Sequence, residues 1–329
     1  MAFAESEQTI IEVKGGTGSI AVNDSTNLVY VTNFSGGTVS VFDGTTDELV
    51  SVINGMRTPF GVGINPQTNM LYVGEEYNNT LSVINGITNT IQEKIEIRDP
   101  YDIAINDKNN MIYVTSDRSD SVFVVNGFTN TIDATFEVQV PCGIAVNSQT
   151  GMVYVTSEST DQLYVYDELN KLVRMINVEN SPRGVAVNPN TNMIYVTNQE
   201  SSTISVIDGK TNTVSHSIPV KEIPRRIAVN PQTNIIYVTN QGANVISVID
   251  AIQNKVVDEI AVDEPFEMAV SPSLDKVYTT YYRTGMLSIT QMPTQDDSKI
   301  LQIGIIISVM AIAVSLLIYK KKVIKSSWK

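Results

Sequence analysis

A string close to Tyr-Val-Thr-Asn returns at Tyr30, Tyr72, Tyr113, Tyr154, Tyr195, Tyr237 and Tyr278, at intervals of 41 or 42 residues. Self-similarity at a fixed period of this size marks architectures whose units cannot bury their own faces and must stack on neighbours. It overrides the division into two domains that a length of 329 residues would suggest. Residues 8–290 read as a single repeat domain.

The fifth unit shows what each repeat contains. Gly184-Val185-Ala186-Val187-Asn188 is a short apolar run suited to a strand covered on both faces. Pro189-Asn190-Thr191-Asn192 turns the chain, and Met193 to Thr197 is β-branched and aromatic, as a pleated strand prefers. Thr203 to Ile207 alternates polar and apolar residues, and Asp208-Gly209-Lys210-Thr211-Asn212 closes a hairpin. Thr213 to Val220 supplies an outer strand with Val214, His216, Ile218 and Val220 expected on one face. Four strands per repeat without helical periodicity make a propeller blade, and seven blades close a ring without long exposed edges.

The last unit supplies only three strands, near residues 267–271, 276–280 and 286–290. Its missing outer strand is expected in Gln8 to Val13, a 3+1 closure joining the two ends of the ring. The predicted fold is therefore an all-β, seven-bladed β-propeller with 3+1 closure, followed by one C-terminal transmembrane helix.

The Tyr-Val-Thr-Asn strings, the Asn-Pro-x-Thr-Asn turns at 65–69 and 230–234, and the Ser-Val-Ile-Asp-Gly strand ends resemble the YVTN-type β-propeller repeat family. The resemblance covers residues 8–290. It implies a seven-bladed ring like those of archaeal surface-layer-like proteins and bacterial secreted relatives. It implies no activity, because propellers host many.

Composition narrows the chemistry. Lys and Arg number 22 against 35 Asp and Glu, a net charge of −13, which disfavours nucleic-acid binding. A single Cys and a single His leave no disulfide framework, no cysteine-cluster metal site and little acid–base machinery. Cys142 has no His on a corresponding loop to activate it, and His216 sits on an outermost strand. Asp43, Asp208 and Asp250 share their strand-end position with Asn85 and Asn126, which points to turn capping rather than calcium. Asp263, Glu264 and Glu267 form the best remaining cation candidate, but no metal and no cofactor is expected. Met70, Met111, Met152 and Met193 recur at one blade position and read as packing. Gly15-Gly16-Thr17-Gly18 lacks the following helix that a phosphate cradle needs and reads as a sharp turn.

Residues 300–319 carry no charge and would span about 30 Å as a helix, matching a bilayer core. Lys320, Lys321, Lys322, Lys325 and Lys329 follow at once, so the positive-inside rule places the 320–329 tail in the cytoplasm and the ring outside. Residues 291–299 form the linker. In the 1–7 segment, Ala2-Phe3-Ala4 before Glu5-Ser6-Glu7 resembles the end of a cleaved signal, with a hydrophobic segment expected upstream. Three sequons, at Asn23, Asn33 and Asn78, mark candidate glycosylation positions. Gly304, Ser308, Ala311 and Ser315 align small side chains along one helix face and suggest self-association in the membrane.

One set of residues departs from the repetition. The loops entering the innermost strands carry a Pro followed by Phe60, Tyr101, Cys142, Arg183, Arg225 with Arg226, or Phe266. In a propeller these loops surround one mouth of the channel, with Glu75, Glu76 and Tyr282 on the neighbouring rim. Arginine among aromatics suits recognition of carboxylate, carbonyl or sugar groups. Strand parity puts this mouth away from the membrane. The expected function is a non-enzymatic, membrane-anchored surface module binding a surface protein or glycan. Its competitors are an extracytoplasmic lactonase, lyase or oxidoreductase and, against the charge, a nucleic-acid-binding ring.

Overall fold

The computed structural model describes residues 7–281 and 284–292. Within them lie seven four-stranded antiparallel sheets, one per sequence repeat. Six sheets run inner, second, third and outer strand in chain order. In sequence they span residues 17–53, 59–96, 103–137, 141–177, 182–219 and 224–261, and are called blades one to six. Each inner strand packs on the inner strands of its two neighbours, and the seventh packs on the first, so the ring is closed.

The seventh blade joins the ends of the ring as the sequence leads one to expect. Gln8–Glu12 pairs antiparallel with Met286–Gln291, followed by Lys276–Tyr281 and Pro265–Ser271. The register runs from Gln8 opposite Thr290 to Glu12 opposite Met286. Val13 N–H donates to Gly285 O at 2.6 Å and Gln8 Nε2 to Ser288 Oγ at 2.7 Å.

The repeated residues are the joints between blades. Tyr30 of blade one packs with Leu71, Val73 and Ile84 of blade two, and Tyr278 of the last blade with Val29, Val31 and Phe42 of the first. Tyr72, Tyr113, Tyr154 and Tyr195 repeat the arrangement. Met70, Met111, Met152 and Met193 lie against these same clusters. Burial pushes the phenols of Tyr30, Tyr72, Tyr113, Tyr154 and Tyr195 up to about 12, so the seams stay neutral near pH 7.

Polar staples bind most of the seams, six at one end and four at the other. Near the loops that enter the inner strands, the Thr of the repeated string bridges two blades. Thr197 Oγ1 accepts from Gly184 N–H at 2.8 Å and donates to Arg225 O of the next blade at 2.9 Å. Thr32, Thr115, Thr156, Thr239 and Thr280 do the same for theirs. Blade two has Gly74 there, and a Cβ would press on Pro100. At the opposite face, Asn23, Asn65, Asn147 and Asn188 donate to Asn69, Asn110, Asn192 and Asn234 of the next blade.

Several sequence expectations change in three dimensions. Asn23 and Asn33 are buried, Asn33 donating to Thr38 and Ser40, so both sequons serve the fold; Asn78 is half-buried and donates to Glu75. A bulge between the third and outer strands of blade five sets His216 opposite Val206 but Val214 opposite Ile207. The extra residue therefore puts Val214 on the other face from His216 and Ile218. Gly15 and Gly16 both adopt positive φ in a sharp turn, where Gly15 O accepts from Ser35 and Gly36 N–H. Asp43, Asp208 and Asp250, like Asn85 and Asn126, accept a backbone N–H two residues on.

Among the described residues no helix is long and apolar enough to cross a membrane. The 300–319 run with Gly304, Ser308, Ala311 and Ser315, the 320–329 tail, residues 1–6 and Tyr282 lie outside the described residues.

Candidate functional site

A backbone irregularity in the inner strands sets the site. In blade two, Pro59 pairs with Glu75 but the next pair is Val62 with Val73, so the inner strand holds one extra residue at Phe60-Gly61. The same bulge recurs at 142–143, 183–184, 225–226 and 266–267. Bulges re-aim side chains, and each of these sets two successive inner-strand residues opposite one residue of the second strand. The second is Gly61, Gly143 or Gly184 in three blades, where a Cβ would overlap a carbonyl oxygen of the next blade. In blades six and seven it is Arg226 and Glu267, and in blade three Asp102 stands at the equivalent sequence position, just before the inner strand Ile103–Asn106.

Those three meet across the ring. Arg226 Nη1 donates to Asp102 Oδ2 at 2.9 Å and its Nε to Glu267 Oε1 at 2.7 Å. Asp102 also accepts from the backbone N–H of Ile103 and Ile144. Burial opposes charge on Arg226, but Asp102 and Glu267 outweigh it and hold its pKa well above the ordinary value. Burial raises Glu267 above the ordinary glutamate range despite Arg226 beside it. The network borders a channel cavity of about 160 Å³ that Ser19, Gly184 and a belt of Ile and Val side chains complete. Glu267 is thus bonded to Arg226 and is not part of a cation site with Asp263 and Glu264.

An aromatic cap covers the network. Phe60 stacks on Tyr101 with ring centroids 5.1 Å apart and meets Phe266 edge-on at 6.0 Å. The Arg225 guanidinium lies 4.3 Å over the Phe266 ring, and its Nη2 donates to Tyr101 Oη at 3.4 Å. Among the described residues Arg225, half-buried, has no carboxylate at ion-pair distance. Arg183 is paired: Nη2 donates to Glu158 Oε1 at 2.6 Å, while its buried Nε has no partner. Cys142 Sγ faces Glu158 Oε2 at 3.5 Å, and burial pushes its thiol up to about 12. No thiolate nucleophile forms there near neutrality.

The seven residues expected at the mouth fall into two classes. Phe60, Cys142 and Phe266 are buried, Phe60 and Phe266 against each other and Cys142 beside Glu158 and Arg183. Tyr101, Arg183, Arg225 and Arg226 are half-buried. Of the rim residues, Glu75 is fully buried, accepting from Arg57 N–H, Asn78, Ser82 and Lys94. Its carboxylate ties two strands and a loop together and is closed to a partner. Glu76 stays half-buried and pairs with Arg118 at 3.2 Å; burial raises its pKa.

Asp102 was not visible as a site residue in the sequence, although the Gly-to-charge change at this position of the repeat is its signal. Also missed was an open cleft of about 590 Å³ between blades one and two. It is lined by Phe34, Ser35, Gly36, Gly37, Met56, Arg57, Thr58 and Tyr77. Phe34 touches both Tyr77, at 6.0 Å, and Phe60, at 6.4 Å, so aromatic rings run unbroken from cleft to mouth.

A family model described as YNCE-like beta-propeller matches residues 98–271. The seven repeats and this match together fit the YVTN-type resemblance. No curated protein matches the chain. Among solved structures, hydrazine synthase of Kuenenia stuttgartiensis is similar at 14% identity and a TM-score of 0.75, covering 86% of this chain and 97% of that one. A chain of a mitotic checkpoint complex is similar at 13% identity and a TM-score of 0.79, covering 89% of this chain and 93% of that one. At such identities the likeness is one of fold alone, and the two neighbours share no chemistry by their descriptions.

Proposed function

The chain belongs to the YNCE-like beta-propeller family, and from that premise we propose that it is a binding module rather than an enzyme. Its ligand is a carboxylate-bearing surface glycan, taken at the mouth by Arg225 and Arg183 and steadied along the aromatic run toward Phe34 and Tyr77. The observation that carries this is Arg225: half-buried, fixed over Phe266, and without a carboxylate of its own among the described residues. A guanidinium so placed lacks the charge-assisted partner that a planar acid supplies. A catalytic reading finds less support, since the one thiol is held protonated and Glu267 and Asp102 are already bonded to Arg226.

The ring works outside the cell in this reading, held by a transmembrane helix at 300–319 with the 320–329 tail in the cytoplasm and 291–299 as linker. The small-residue line Gly304, Ser308, Ala311 and Ser315 pairs two such helices. Titration calorimetry with uronic-acid and neutral oligosaccharides tests the ligand class. Acidic chains should bind and neutral ones of equal length should not. Arg183→Ala with Arg225→Ala should weaken binding at least about tenfold, the loss of charge-assisted hydrogen bonds. Equal binding of neutral and acidic chains would remove the case for the arginines.

A further inference from the structure

The face opposite the mouth carries a feature that the binding module does not use. Every hairpin between third and outer strands presents one residue outward at the same repeat position: Thr45, Ile87, Phe128, Leu169, Lys210 and Ile252. In each, its backbone N–H donates to the Asp or Asn two residues earlier, which fixes the turn and leaves the side chain in solvent. Exposure is 78% for Ile87, 73% for Phe128, 67% for Leu169 and 74% for Ile252. Thr45 and Lys210 show that the position accepts polar residues, so the turn itself does not demand large apolar ones. Scattered exposed apolar residues are ordinary; four at one repeat position are not scattered, because the repeat sets them on one face.

The hairpins of blades two and three, residues 85–90 and 126–131, contain no charged residue at all. The same face is where the chain leaves the ring. Gln291 pairs with Lys276 and its Nε2 donates to Leu274 O, in the turn between inner and second strands. Hairpins and such turns are bonded together within blades, as Gly86 N–H to Asn69 O and Gly127 N–H to Asn110 O. From Gln291 the uncharged 300–319 run is within at most about 30 Å of extended chain.

We propose that this face rests on the lipid bilayer, with Ile87, Phe128, Leu169 and Ile252 inserted among the headgroups and upper acyl chains. The inference rests on the reading of 300–319 as a membrane anchor. Given that anchor, the bilayer is the one apolar partner always within reach of these tips, and a planar array of short protrusions fits it. Docking also fixes the mouth outward.

The chain has a single Trp, Trp328, which permits a direct test on the full-length protein. Phe128→Trp and, separately, Tyr77→Trp are made in a Trp328→Phe background and reconstituted into phosphatidylcholine vesicles with brominated acyl chains. Emission from position 128 should fall about twofold, the depth expected of an interfacial side chain, and that from position 77 should not change. Changing Ile87, Phe128, Leu169 and Ile252 to Ser, with Thr45→Trp as reporter, should abolish the quenching seen for Thr45→Trp alone. Vesicle flotation of each variant reads the anchor separately. Flotation with equal emission at positions 77 and 128 overturns the docking and spares the anchor. Failure to float overturns both.

Discussion

The Thr next to last in the second strand and the residue that follows the Pro of the inner strand are bonded neighbours, yet they obey opposite rules. In six blades the Thr makes the same two bonds, one to its own inner strand and one to the carbonyl of the next blade. Its partner carbonyl belongs to Phe60, Cys142, Arg183, Arg225, Phe266 or Gly18. The staple reads only the backbone, so the side chain above it is free to differ. A ring built this way separates the bonds that hold it together from the side chains that vary at its mouth within a few ångströms.

Four changes probe that separation, from the largest effect to the smallest. Removing residues 1–13 deletes a whole strand from the seventh blade and leaves Met286–Gln291 as a bare edge. The melting temperature followed by circular dichroism should fall by about 10 °C or more, and an unchanged transition would mean that the closure is dispensable. Arg226→Ala leaves buried Glu267 and half-buried Asp102 without their cation and should cost about 3 kcal/mol in urea unfolding. Thr197→Val orphans Gly184 N–H and Arg225 O and should cost about 1–3 kcal/mol, with ligand affinity retained. Arg183→Ala with Arg225→Ala should stay within about 1 kcal/mol of the parent in stability while affinity collapses. If Thr197→Val lost affinity as fully as the double Arg change, seam and mouth would not be separable.

Glu267 sharpens the comparison through pH. Its folded pKa lies above the ordinary glutamate value because burial opposes ionisation. The folded state therefore holds the proton more tightly than the unfolded chain does. Its contribution to stability is full below the unfolded pKa and is lost as pH rises through the raised folded value. Glu267→Gln mimics the protonated form at every pH. Parent and variant should match at low pH, and the parent should fall behind as pH rises through that window. A gap that narrowed with rising pH would reverse the sign.

The ring was legible in the sequence because its joints are local and repeated. The Tyr returns in every repeat and the Thr in all but blade two, and what each touches returns with it. The mouth was half legible. Convergence of the seven loop residues follows from strand order, but whether Phe60 and Phe266 face solvent depends on a bulge that no composition signals. Glu75 looked like a rim acid since neighbouring Glu76 is one; its burial comes from Lys94 and Ser82, placed by strand pairing. His216 and Val214 were assigned one face because alternation was assumed unbroken through a strand that carries an extra residue.

The 3+1 closure has a consequence for the order of events in the cell. The strand Gln8–Glu12 leaves the ribosome before the rest of the ring, and its partner Ser288 lies 280 residues behind Gln8. At about 5–20 residues per second, synthesis leaves that first strand without its mate for on the order of tens of seconds. Six blades fold from contiguous chain during this time; the seventh waits for the final stretch. Whatever shields Thr9 to Ile11 in that interval decides how many chains close upon themselves and how many lend the strand to a neighbour.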